Sequence, residues 1–119
     1  MNRKKQTKFE GIFIDKLIDK FRDVHAERVA GSGMKKTAAC DAVVIKNSVP
    51  FLVEVKATKQ KSYCFSRSKR ADLLKKSQIC GAVPILAVRF KRRRWVVTDL
   101  TSRDCWTVHD NDKSIWELD

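Results

Sequence analysis

Long apolar runs are missing from this 119-residue chain; none approaches the roughly 18 residues that a membrane span requires. The basic start leads into an amphipathic stretch without a small-residue cleavage site, so neither a membrane anchor nor an export signal is expected. The chain is therefore expected inside a cell, in the cytoplasm or nucleoid, or in a host cytoplasm if the protein is viral. Glycine and proline number only 4 and 2, which argues against a disordered or low-complexity chain. Closely spaced cysteine pairs are also absent: Cys40, Cys64, Cys80 and Cys105 lie far apart, unlike the ligands of a zinc site. A domain of this size folds without disulfide staples, so all four are expected as reduced thiols, mostly as small buried hydrophobes. His25 and His109 are expected as ordinary surface or core residues. Internal repeats are lacking too.

What is present suits one folded unit. Hydrophobic residues make up 43% of the chain, enough for a core, and 13.7 kDa leaves no room for a second domain. A single domain over 1–119 is expected, with a basic N-terminal arm at 1–8 and an acidic tail at about 101–119. Lys and Arg number 26 against 14 Asp and Glu, a net charge of +12. Residues 99–119 hold six acids and two bases, so residues 1–98 carry 24 bases against 8 acids, or +16. Such self-repulsion destabilises a compact chain unless a polyanion relieves it, which points to nucleic acid. The basic residues cluster at Arg3, Lys4, Lys5 and Lys8; at Lys59, Lys61, Arg67, Lys69, Arg70, Lys75 and Lys76; and at Arg89, Lys91, Arg92, Arg93 and Arg94. A membrane surface fits less well, because the amphipathic segment 9–24 mixes acids with bases on its polar side.

Apolar residues Phe9, Ile12, Phe13, Leu17, Phe21 and Val24 recur at helical spacing, predicting a helix over 9–24. A short extended piece, 27–30, precedes a basic Gly-Ser-Gly loop that carries Lys35 and Lys36. Two β-rich runs, 40–46 and 51–57, flank Asn47-Ser48-Val49-Pro50 and predict a hairpin with a loop of two to four residues. A second helix is predicted over 66–79, with Ser66 or Ser68 as N-cap and Gly81 just past its end. Strands are predicted at 82–90 and 94–100. The order predicts an α/β domain, a mixed central β-sheet with flanking helices. Trp106, Ile115 and Trp116 leave apolar side chains in the acidic tail, to cover either the core or a partner subunit.

Side chains alternate across a strand, so Leu52, Glu54 and Lys56 share one face. Pairing Lys46 with Phe51 would set Asp41 across from Lys56 and diagonal to Glu54; a slip by two keeps that face, and a slip by one reverses it. An isolated acid–base pair of this kind is accounted for by a salt bridge of a few tenths to about 1 kcal/mol. Here Ala42, Val43, Val44, Val53 and Val55 flank the charges, and burying charge is costly without a metal or a close partner. Asp41 and Glu54 are hard oxygen donors suited to Mg²⁺, with the Val55 carbonyl and waters completing the shell. Lys56 would orient the attacking water or stabilise a pentacoordinate transition state, or shift its pKa enough to transfer a proton.

Asp41, then Glu54-Val55-Lys56, resembles the PD-(D/E)xK nuclease motif. With Lys8-Phe9-Glu10 in the first helix, Arg28 to Gly33 in the loop and Asp41 to Ile45 in the strand, the chain resembles the archaeal Holliday-junction resolvase family, Hjc, over about residues 5–100. The resemblance implies a restriction-endonuclease-like core and a homodimeric, Mg²⁺-dependent endonuclease that nicks four-way DNA junctions in pairs, with Mn²⁺ substituting. By the same resemblance, Glu10 is the helix-borne acid and a metal neighbour, Asp41 and Glu54 are metal ligands, and Lys56 is the catalytic lysine. Ser32 assists cleavage from the Gly/Ser loop and Arg28 contacts phosphate. Two departures stand out. Cys40 replaces the usual Pro, and the second helix offers Ser68, Lys69 and Arg70 in place of the usual Gln, which puts that helix's role in the site in doubt. Two other readings remain: a PD-(D/E)xK nuclease acting on duplex, nicked or flap DNA, and a non-catalytic basic nucleic-acid-binding protein whose carboxylates only form salt bridges.

Overall fold

The computed structural model of the chain describes residues 3–29, 40–91, 94–101 and 106–119, with the backbone alone at 3–7. Ser32, Lys35, Lys36, Arg92, Arg93, Cys105 and the side chains of Arg3, Lys4 and Lys5 lie outside the described residues.

Helix α1 (Arg3–Lys20) begins earlier than its apolar stripe and stops before Val24. That β-branched residue instead opens β1 (Val24–Arg28), where it pairs opposite Lys46. Strands β2 (Ala42–Lys46) and β3 (Val49–Ala57) form an antiparallel hairpin with Lys46 opposite Val49, so its loop is only Asn47 and Ser48. Both residues take left-handed backbone, φ 49° and 67°, the conformation that a tight two-residue hairpin turn demands. The register therefore differs by two from the expected pairing of Lys46 with Phe51. Asp41 lies at the level of Glu54 rather than Lys56, on the anticipated face.

After β4 (Ser62–Cys64), helix α2 (Arg67–Cys80) starts from Ser66, whose hydroxyl accepts the Lys69 N–H at 3.2 Å. It ends at Gly81 in left-handed backbone, φ 69°, as the punctuation predicted. The helix is the crossover that lets β5 (Val83–Arg89) lie parallel to β3, and β6 (Trp95–Asp99) pairs antiparallel with β5. The main sheet runs β1-β2-β3-β5-β6, and β4 pairs with β7 (Thr107–His109) in a separate ribbon.

The sheet is covered on both faces. Phe13 and Leu17 of α1 pack with Ala42, Val44, Val53, Val55, Ile85 and Trp95 on one side. Leu73 of α2, Phe65 and Val108 pack with Leu52, Leu86, Val88 and Val96 on the other. The acidic tail closes the first core. Trp116 is buried and meets Phe51 edge to face at 5.0 Å, and Leu118 is buried beside it. The tail also takes the free edge of β6: Ile115 N–H donates to Val97 O at 2.9 Å, Val97 N–H to Ser114 Oγ at 2.8 Å, and Trp95 N–H to the Asp119 carboxylate at 3.1 Å. Arg94 holds the bend by donating to the carbonyls of Asp110 and Asp112. Among the described apolar residues of the tail Ile115 alone is largely exposed, at 47%. The cysteines depart from expectation: Cys40 is buried, but Cys64 and Cys80 are exposed free thiols, because one alternates outward on a three-residue strand and the other ends a helix.

Candidate active site

β3 sits inside the sheet, yet its end outruns β2, and the site occupies that step. The last backbone bond between them runs from Asp41 N–H to Val53 O at 2.9 Å. One level on, the Asp41 carboxylate substitutes for the missing strand, its Oδ2 accepting the Val55 N–H at 2.9 Å. A strand residue presents its N–H and C=O to the same edge, so the Val55 carbonyl faces the side on which Asp41 stands. Val29 N–H donates to Asp41 O at 2.8 Å, which brings the end of β1, and with it Arg28, to the same corner.

Phe51, Val53 and Val55 enter the α1-side core and Leu52 enters the α2-side core. Glu54 and Lys56, in phase with Leu52, therefore rise on the α2 side. They form an ion pair at 3.4 Å, with the Glu54 side chain 9% and the Lys56 side chain 20% exposed. Burial, then the neighbouring Asp41 carboxylate, pushes the Glu54 carboxyl up to about 7, with Lys56 and Lys69 pulling the other way. Glu10 arrives from α1. It too is buried, and burial followed by Asp41 lifts it to about 7 against the pull of Arg28 and Lys56. The structure thus brings Glu10, Asp41, Glu54 and Lys56 into one electrostatic cluster. Burial pulls the Lys56 ammonium down, but Glu54, Tyr63 and Asp41 together raise it above its ordinary value. The direction is opposite to the downward shift that proton transfer by Lys56 would call for.

The second helix reaches the site after all, since Lys69 in its first turn lies in the field of Glu54. Tyr63, passed over in the sequence, lies on β4 within the field of Lys56, Glu54 and Asp41, and burial is the main cause of its raised pKa. Its only sequence signal was being the sole tyrosine, close behind the Glu54-Val55-Lys56 stretch. Lys59, Lys61 and Arg67 are exposed, Arg67 standing 5.5 Å over the Trp106 ring. Arg70, proposed from sequence as a DNA contact, is buried with its guanidinium 5.0 Å over the same ring, a packing position. Among the described residues no three His, Cys, Asp or Glu side chains converge into a ready-made metal cage.

A step at the end of a central strand, lined by buried acids and one fixed ammonium, can bind a hard cation and compensate charge on a phosphodiester. The sequence model of the archaeal Holliday junction resolvase (Hjc) family matches residues 2–115. The chain belongs to that family. As a member of the Hjc family it is a structure-specific endonuclease that acts on four-way DNA junctions. No curated protein matches the chain. Among solved structures it is similar to Hjc of Archaeoglobus fulgidus, a Holliday junction resolvase from an archaeal hyperthermophile, at 22% identity and TM-score 0.73, covering 86% of this chain and 85% of that one. That likeness shows the shared fold, a mixed sheet between helices. Among the described residues no helix is long and apolar enough to cross a membrane.

Proposed function

We propose that Glu10, Asp41, Glu54 and Lys56 are the hydrolytic centre of this resolvase, working with Mg²⁺, or Mn²⁺ in its place. The observation that carries the reading is two buried carboxylates, Asp41 and Glu54, at the same level of β2 and β3, with the Lys56 ammonium 3.4 Å from Glu54. The donor set fits a divalent cation: the Glu10 and Glu54 carboxyls, made harder to ionise by burial, are stabilised by one, and carboxylate and carbonyl oxygens are the ligands that Mg²⁺ prefers. Asp41, Glu54 and the Val55 carbonyl would hold it, with Glu10 beside them. Once bound, such an ion supplies charge compensation on the phosphate and a more acidic water.

The protein's own groups account for the rest. The Val55 N–H fixes the Asp41 carboxylate, so no reorganisation is needed when substrate arrives. Lys56, tethered by Glu54, directs its ammonium at the charge that builds as the phosphorus becomes pentacoordinate. Water's oxygen bonds to phosphorus, one P–O ester bond breaks, the water proton passes to the carboxylate cluster, and the departing oxygen takes a proton from solvent. Arg28, in the field of Glu10, would steer a flanking phosphate, Lys59, Lys61, Arg67 and Lys69 would extend the cationic track, and Arg3, Lys4, Lys5, Lys35 and Lys36 are proposed as DNA contacts from their charge. Ser32 would act from the loop between β1 and β2. Paired nicks in a two-fold symmetric junction call for a C₂ homodimer with one site per strand, each subunit a single nuclease domain acting inside the cell.

Asp41→Asn keeps the acceptor for Val55 N–H while removing the charge. It is expected to abolish Mg²⁺-dependent cleavage of a synthetic four-way junction and to leave binding in chelator intact; cleavage by the variant would overturn the assignment.

A further inference from the structure

The carboxylates and Lys56 account for one wall of the site, the sheet. A second wall stands opposite. β4 follows β3 after a four-residue connection and is held across the α2 face by its ladder with β7, Tyr63 opposite Val108. Ser62 and Cys64 are exposed while Tyr63 is half-buried, so on this short strand only Tyr63 turns inward. Its ring packs on the core that contains Leu52, two residues before Glu54 on the same face of β3, and Cys40, the residue before Asp41, and its cross-strand partner Val108 is fully buried. Glu54 and Lys56 rise from the sheet on this same side. The ring is thus held by packing on the face from which Glu54 and Lys56 rise, and the phenol stands in the electrostatic field of Lys56, Glu54 and Asp41.

The core alone does not call for that hydroxyl, since phenylalanine would fill the same space. A tyrosine hydroxyl is uncharged at neutral pH and donates without adding a cation or competing for one. We propose that the Tyr63 hydroxyl is a further catalytic group of this resolvase, donating a hydrogen bond to a nonbridging oxygen of the scissile phosphate on the side opposite the sheet. The proposal rests on the reading of Asp41, Glu54 and Lys56 as the hydrolytic centre. Negative charge on that oxygen grows as phosphorus becomes pentacoordinate, so the bond strengthens in the transition state, and a preset donor there acts on rate rather than affinity.

The test is Tyr63→Phe, which keeps the packing ring. Single-turnover cleavage of a four-way junction in Mg²⁺ is expected to fall about 10²-fold, the scale of one lost oxyanion donor, with junction affinity in chelator and the urea midpoint unchanged. A second measurement replaces each nonbridging oxygen of the scissile phosphate by sulfur in turn. The penalty of Tyr63→Phe should shrink for the one diastereomer in which the contacted oxygen is gone, which a packing role would not produce. Wild-type cleavage rates in Tyr63→Phe, or equal penalties on both diastereomers, overturn the role of Tyr63 and leave the hydrolytic centre standing. Failure of the wild-type protein to cleave in Mg²⁺ overturns both.

Discussion

Without metal, this protein should lose stability as the pH rises through neutrality. Glu10 and Glu54 are each lifted from 4.5 to about 7 in the folded state, burial first and Asp41 second. A carboxyl whose folded pKa lies above its unfolded one favours folding fully below pH 4.5, and that contribution disappears as the pH passes through 7. At about 1.4 kcal/mol per pH unit per group, the two together should cost about 2–4 kcal/mol between pH 5.5 and 8. That is a large share of the roughly 5–15 kcal/mol available to a domain. In urea, with a slope of about 1–3 kcal/mol per molar, the midpoint in chelator should fall by about 1–3 M over this range. Glu54→Gln removes one of the two groups and should roughly halve the fall; both proteins share His25 and His109, so the difference isolates Glu54. Mg²⁺ should restore wild-type stability most at the high-pH end, because it binds the ionised carboxylates. A wild-type midpoint in chelator that stays level or climbs from pH 5.5 to 8 would refute the argument, as would an equally steep fall in Glu54→Gln.

Two further outcomes concern the scaffold. Trp116→Ala should cost about 3–5 kcal/mol, because a nearly buried ring leaves the α1-side core and releases the tail from β6; the urea midpoint reads it. Ser48→Gly should stabilise by about 0.5–1 kcal/mol in the same assay, since Ser48 is exposed and holds φ 67° in the turn at no gain that glycine would forfeit.

The face shared by Asp41, Glu54 and Lys56 was legible because strand alternation is a property of parity, and the true register differs from the expected one by two, which preserves parity. The register itself was not, since it depended on Asn47 and Ser48 both adopting left-handed backbone, and Asn-Ser signals that less strongly than Asn-Gly. Helix α2 was readable from Ser66 and Gly81, local residues whose caps act within one turn. Its approach to the site was not, because Lys69 enters the field of Glu54 only once the β3–α2–β5 crossover is closed.

Sequence alone determined what depends on neighbours in the chain: the presence of both helices and the caps of α2, the hairpin, the excess of positive charge, and an acid, acid, lysine order with the alternation that gathers it on one face. Tertiary structure alone decided what depends on residues distant in the chain. It ran residues 62–64 beside 107–109, and so turned Tyr63 toward the α2-side core and into the field of Lys56. It turned an acidic tail into the edge of β6 and a lid on the core. It also set Glu54, Tyr63 and Asp41 around Lys56, which together raise its pKa against burial, since a group's ionisation answers to everything packed around it, whichever part of the chain supplies it.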